Sequence, residues 1–107
     1  MISFKQFQEL DLRVGKVIEA EAVPESRNLI KLQVDFGKEK RQAVAGLLEW
    51  YKPEELKGNK YMFILNLEPR KMMGLESQCM IFAAEDDEGN IVLMAPEKDI
   101  KEGSVVR

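Results

Sequence analysis

Arg27, Lys31, Arg41, Arg70 and Lys71, with the amides of Gln42 and Asn66 between them, are the side chains whose types suggest a task. Cations neutralise phosphate oxygens, and arginine's planar fork fits them better than lysine's point charge. Amides reach hydroxyls and backbone groups. Nothing in this set attacks a carbonyl; it is suited to holding a polyanion. Each residue also has a plain structural reading. Gln42 can pair across a strand. Asn66, which interrupts Leu65-Asn66-Leu67, either satisfies buried backbone groups or lines a binding face. For Arg41, Arg70 and Lys71 the plain alternative is a solvated surface with incidental ion pairs.

Catalytic chemistry has little to work with. There is no histidine, which removes Ser-His-Asp and Cys-His nucleophile pairs. The one cysteine, Cys79, leaves no usual zinc site and excludes an intrachain disulfide. No GxxxxGK[ST] loop or GxGxxG fingerprint supports nucleotide hydrolysis or dinucleotide binding. The nineteen Asp and Glu residues keep a carboxylate pair open in principle. The expectation is a protein that is not an enzyme and needs no cofactor or metal.

The net charge of −3 argues against nucleic acid when the chain is taken whole. The average hides an asymmetry: residues 1–37 carry a net −1, residues 38–75 a net +3 and residues 76–107 a net −5. A positive middle beside an acidic tail can orient a polyanion onto one face. The chain's 107 residues suit one domain with one core. Its 45% hydrophobic and 33% charged residues are ordinary for a soluble domain. No apolar run approaches the ~18 residues of a membrane helix. The start, Met1 to Gln6, has no apolar signal region, so a cytoplasmic location is expected.

These side chains need elements to position them. Ser3 and Gln6 have capping-box spacing, and Phe4, Phe7 and Leu10 recur at helical intervals, which predicts a short helix over residues 3–10. A long first strand follows Asp11, with a bend expected at Gly15, and ends at Pro24. Ile30, Leu32, Val34 and Phe36 alternate with polar residues in a second strand. Gly37 to Lys40 turns the chain into a third, Arg41 to Ala45. Leu47 to Tyr51 and Pro53 to Leu56 read as short helical turns, and Lys60 to Leu67 as a central strand. The stretch through Pro69 and Gly74 reads as a loop. Ser77 to Glu85 reads as a fifth strand, Asp86 to Asn90 as a hairpin loop and Ile91 to Met94 as the return. Short strands with a helical insert between the third and fourth predict an all-β chain with short helices, a five-stranded oligonucleotide/oligosaccharide-binding (OB) barrel.

Three strings occur in order: Asp11-Leu12-Arg13-Val14-Gly15-Lys16, Arg41-Gln42-Ala43-Val44-Ala45-Gly46, and Asn66 through Gln78 by way of Glu68-Pro69-Arg70-Lys71-Met72-Met73-Gly74. Together they resemble the tRNA-binding domain found at the C-terminus of many methionyl-tRNA synthetases, as a free-standing tRNA-binding protein or synthetase beta subunit, and in secretion-chaperone-like relatives. The resemblance covers essentially the whole chain. It implies an OB-fold homodimer that binds tRNA by shape, without catalysis, alone or beside a methionyl-tRNA synthetase. It also adds site residues. Ser77 and Met80 match family positions facing RNA, where a hydroxyl reaches phosphate or ribose and a thioether offers a soft surface to a base. Their plain readings are a turn hydroxyl and a core methionine. Asn28 stands where the family often has a lysine, with Arg27 beside it, and Cys79 stands where the family usually has glycine.

Two other readings stay open. A chaperone-like module or adaptor dimer that binds extended polypeptide would use Met72 and Met73, since methionine adapts to varied partners. A structural dimerisation domain for a synthetase would need no tRNA affinity of its own. The N-terminal helix and the Val105-Val106 end are the candidate dimer surfaces.

Overall fold

Ser3 closes the first helix as expected: its hydroxyl accepts from Gln6 N while the Gln6 amide oxygen accepts from Ser3 N. In the computed structural model, which describes residues 1–107, this helix is α1 (Phe4–Gln8). None of its residues is fully buried: Phe4 is exposed and stacks on the half-buried Phe7, with ring centroids 6.4 Å apart.

The strands follow as β1 (Leu12–Ala22), β2 (Ile30–Asp35) and β3 (Lys40–Ala45), then α2 (Pro53–Leu56) and β4 (Lys60–Ile64). Next come β5 (Arg70–Met72), β6 (Leu75–Ser77), β7 (Met80–Ile81), β8 (Ala83–Glu85) and β9 (Ile91–Leu93). The main sheet has five strands in the order β3-β2-β1-β4-β7, all antiparallel. It curls until β7 lies beside β3, which makes a nearly closed barrel of the OB type. Alternate residues of β2 point inward: Ile30, Leu32 and Val34 are fully buried and join Val17, Phe63 and Leu56 in the core. Phe36 meets Phe63 edge-on, with ring centroids 5.3 Å apart.

Several boundaries differ from the expectation. The irregularity in β1 lies between Val17 and Glu19, not at Gly15. Gly15 is required for another reason: a Cβ there would stand 2.6 Å from both Phe36 Cε1 and Val34 Cγ1. Strand β4 ends at Ile64 rather than Leu67, with Leu65 N still bonded to Asp11 O one step beyond it. The single fifth strand is divided into β6, β7 and β8 by departures from the ladder at Gln78-Cys79 and Phe82. The stretch around Gly74 is a hairpin, β5–β6, turning at Met73 (φ 52°) and Gly74 (φ 77°).

The C-terminal residues add a further edge to the barrel. Val14 N donates to Ser104 O, Gly103 N to Val14 O and Val106 N to Leu12 O. Lys60 secures this segment: its ammonium reaches Asp99 Oδ1 at 2.8 Å and Glu102 Oε2 at 3.3 Å. No helix is long and apolar enough to cross a membrane.

Candidate nucleic-acid interface

The barrel closes along a seam between β3 and residues 77–81, and several of the candidate residues line that seam. Gln78 supplies both halves of a ladder rung opposite Gln42. Its backbone N donates to Gln42 O at 2.8 Å, and its side-chain Oε1 accepts from Gln42 N at 3.0 Å. Sequence reasoning gave Gln78 no role; its signal was its place at the end of the third ordered string. One rung along, the Ser77 hydroxyl accepts from Val44 N and donates to Cys79 O, each at 3.0 Å. Ser77 is buried, so its hydroxyl is fully engaged inside the protein.

Arg41 braces the end of the same seam. Its Nη1 donates to Leu65 O at 2.6 Å and to Gln78 O at 3.2 Å, while Nε and Nη2 meet the Glu39 carboxylate. In register Arg41 opposes Val34, on the inward side of the β2–β3 pair. Asn66 also serves the frame: its Oδ1 accepts from Asp11 N at 2.8 Å and its Nδ2 donates to Glu9 O at 2.6 Å, fastening the end of α1 to the barrel. Cys79 is buried beside Gln42, and burial pushes its thiol up to about 12.

The outer wall differs in character. Gln33 Nε2 donates to Gln42 Oε1, and Gln42 Nε2 donates to Glu76 O, both at 2.9 Å, so a line of amides links β2, β3 and β6. Lys31 lies on this side opposite Val44 and pairs with Glu21 at 2.7 Å. Hairpin β5–β6 packs over it, with Met72 and Leu75 against Val23, Leu29 and Val44. Arg70 and Lys71 are exposed on that hairpin, opposite Ser77 and Glu76, and neither enters an ion pair. Arg27 and Asn28 are exposed in the turn just before Leu29, beside the hairpin's packing site. Met80 is about half exposed on β7.

Thus the folded chain gathers Arg27, Asn28, Lys31, Gln42, Arg70 and Lys71 around one hairpin, borders them with Met80, and turns Arg41, Asn66 and Ser77 to internal bonds. A rigid barrel with free cations mounted over an amide-lined wall defines a binding module of the OB-like class. Residues 12–105 match the family described as "Putative tRNA binding domain", and the chain belongs to it. It is 54% identical over 106 residues to the methionine–tRNA ligase of Methanocaldococcus jannaschii, a match covering 99% of this chain and 16% of that enzyme. The corresponding enzyme of Archaeoglobus fulgidus is 50% identical over 105 residues, covering 98% and 16%. The chain therefore spans about one sixth of the length of these relatives. Among solved structures, a MetRS-related protein from Pyrococcus horikoshii superposes with a TM-score of 0.96 at 37% identity, covering 100% of this chain and 98% of that one. The chaperone CsaA of Bacillus anthracis superposes with a TM-score of 0.90 at 30% identity, covering 100% and 99%.

Proposed function

We propose that this chain binds folded tRNA by its shape and supplies it for aminoacylation, free-standing or beside a methionyl-tRNA synthetase. The observation that carries the reading is the pair of unpaired, exposed cations on hairpin β5–β6, Arg70 and Lys71, in a member of the tRNA-binding domain family. Arg27, Asn28, Lys31 and Gln42 complete the phosphate- and ribose-binding wall. Met80 offers a soft edge to a base. Arg41, Asn66 and Ser77 act through the frame that holds the wall in place. The role is one of binding, in the cytoplasm, with no cofactor.

A homodimer fits the same reading. Met1, Ile2, Phe4, Leu10 and Val105 are exposed apolar residues in and around α1 and near the C-terminal end. Two basic walls in one assembly would raise avidity without any new contact.

Titration of labelled tRNA at rising salt tests the proposal. Affinity should fall with a log–log slope of about −0.7 to −0.9 per phosphate contact. Arg70→Ala should lower the magnitude of that slope by about one unit. Binding that ignores salt, or no binding, refutes it. The second reading, a chaperone-like polypeptide-binding dimer, is favoured by the likeness to a chaperone structure and by the exposed Met73 at the hairpin tip. Peptide-array binding that survives excess tRNA would select it.

A further inference from the structure

The only tryptophan of the chain, Trp50, remains about 39% exposed and belongs to neither apolar cluster, although its neighbours Leu47, Leu48 and Tyr51 all pack against the core. Its turn is firmly held. Leu47 O accepts from both Trp50 N at 3.0 Å and Tyr51 N at 2.9 Å. Leu48 N donates to Asn28 O at 3.1 Å, and the Tyr51 hydroxyl accepts from Leu93 N at 3.0 Å. A large, flat apolar side chain thus sits on a well-bonded turn with more than a third of its surface open to solvent and outside both core clusters. The Asn28 bond joins this turn to the segment bearing Arg27, and Leu29 of that segment carries the β5–β6 hairpin with Arg70 and Lys71. Lys52, two residues along the chain from the indole, and Arg27, next to the Asn28 that bonds this turn, are both exposed and free of ion pairs.

We propose that Trp50 is a stacking platform for an unpaired nucleotide of the bound RNA, at the end of the cationic wall marked by Arg27 and Asn28. The inference rests on the tRNA-binding reading and adds to it a contact that charge does not supply. Aromatic–base stacking is sequence-tolerant because every base has a flat π face. A module that reads shape can use it on a loop or end nucleotide without selecting a base.

Because the chain has one tryptophan, its fluorescence reports this residue alone. Intact protein is titrated with unfractionated tRNA while indole emission and labelled-tRNA anisotropy are followed together. The expected result is emission quenching that saturates with the anisotropy change and reduced acrylamide access in the complex. Trp50→Leu should weaken binding by about 5- to 150-fold, the span of one stacked base, and leave the salt slope unchanged. Trp50→Phe should retain most of the affinity. Stacking is not ionic, so this pattern separates it from loss of a phosphate contact. Anisotropy that reports tRNA binding while emission and acrylamide access stay constant overturns the stacking proposal and leaves the tRNA reading standing. So does a folded Trp50→Leu protein of unchanged affinity. Should Trp50→Leu fail to fold, the wild-type emission and acrylamide results decide alone. Absence of anisotropy change with the wild-type chain overturns both.

Discussion

The Arg41 guanidinium donates to the Leu65 carbonyl oxygen at 2.6 Å, joining the beginning of β3 to the residue at which β4 ends. The same nitrogen reaches Gln78 O, so one side chain ties three separate stretches at one end of the barrel. Hydrogen bonds from a charged donor contribute about 1.5–3 kcal/mol each, more than neutral ones. Arg41→Met is therefore expected to lower stability by about 2 kcal/mol in urea unfolding, and Arg41→Lys should recover only part, because one ammonium cannot meet both carbonyls and also hold the Glu39 carboxylate as Nε and Nη2 do. The salt slope of tRNA binding should be preserved in the folded fraction of Arg41→Met, in contrast to Arg70→Ala.

Ser77 makes a comparable prediction deeper in the wall. Its hydroxyl is the partner of Val44 N and of Cys79 O at a buried site. Ser77→Ala leaves both groups unmatched, for a cost of about 1–3 kcal/mol. The check is chemical denaturation together with hydrogen exchange at the Val44 amide, which should accelerate before global unfolding does.

Cys79 should be inert in the folded protein. Burial is the largest influence on its thiol and raises it to about 12, with Arg41 opposing that rise and Glu39 adding to it. An unfolded thiol ionises near ~8.5, so above that pH the unfolded state releases a proton that the folded state keeps. Stability should therefore fall as pH rises from about 9 towards 12, by up to about 1.4 kcal/mol per pH unit. Cys79→Ser should reduce this alkaline slope in denaturation curves. At neutral pH, thiol-directed reagents should label the protein only after denaturant is added.

The C-terminal edge should loosen at both extremes of pH. The hydrogen bond from Lys60 is the main cause that lowers the Asp99 carboxyl below its usual value. Glu102 is lowered first by a backbone hydrogen bond and then by Lys60. Lys60 is itself raised, chiefly by Asp99. Depressed carboxyls stabilise the fold above their unfolded values, and that stabilisation disappears as pH falls through the folded values. The raised lysine stabilises below its unfolded value and loses its effect as pH climbs through the folded one. The segment should thus be firmest between the carboxylate and lysine ranges. Amide NMR signals of Val14, Gly103 and Val106, the donors of this edge, should shift together in acid and in strong alkali. In Lys60→Met they should already be shifted at neutral pH.

Much of the fold was legible because its signals are local. The alternation from Ile30 to Phe36 set an inward and an outward face for β2, and the Ser3–Gln6 reciprocal cap is present as its spacing predicts. The Asp86–Asn90 loop is held by the Asp86 carboxylate accepting from Glu88 N and Asn90 N, and the chain returns as β9. Gly15 was noticed for the right residue and the wrong reason. Glycine in a strand suggests either a bend or a close approach, and only the positions of Phe36 and Val34 show that it is the latter. The β5–β6 hairpin went unseen because Pro69 and Gly74 read as loop signals, while its stability comes from Met72 and Leu75 resting on a separate cluster.

Residue order alone determined the first four long strands in outline, the turns between them and how many cations the middle of the chain holds, since each depends on neighbours a few positions apart. Tertiary structure decided which of those cations are free. Gln42 and Gln78 meet across 36 positions and Arg41 and Leu65 across 24, distances over which periodicity carries no information. Closing the barrel there engages Arg41 with carbonyl groups left over at the seam, whereas Arg70 and Lys71 ride on a hairpin whose ladder satisfies its backbone without them.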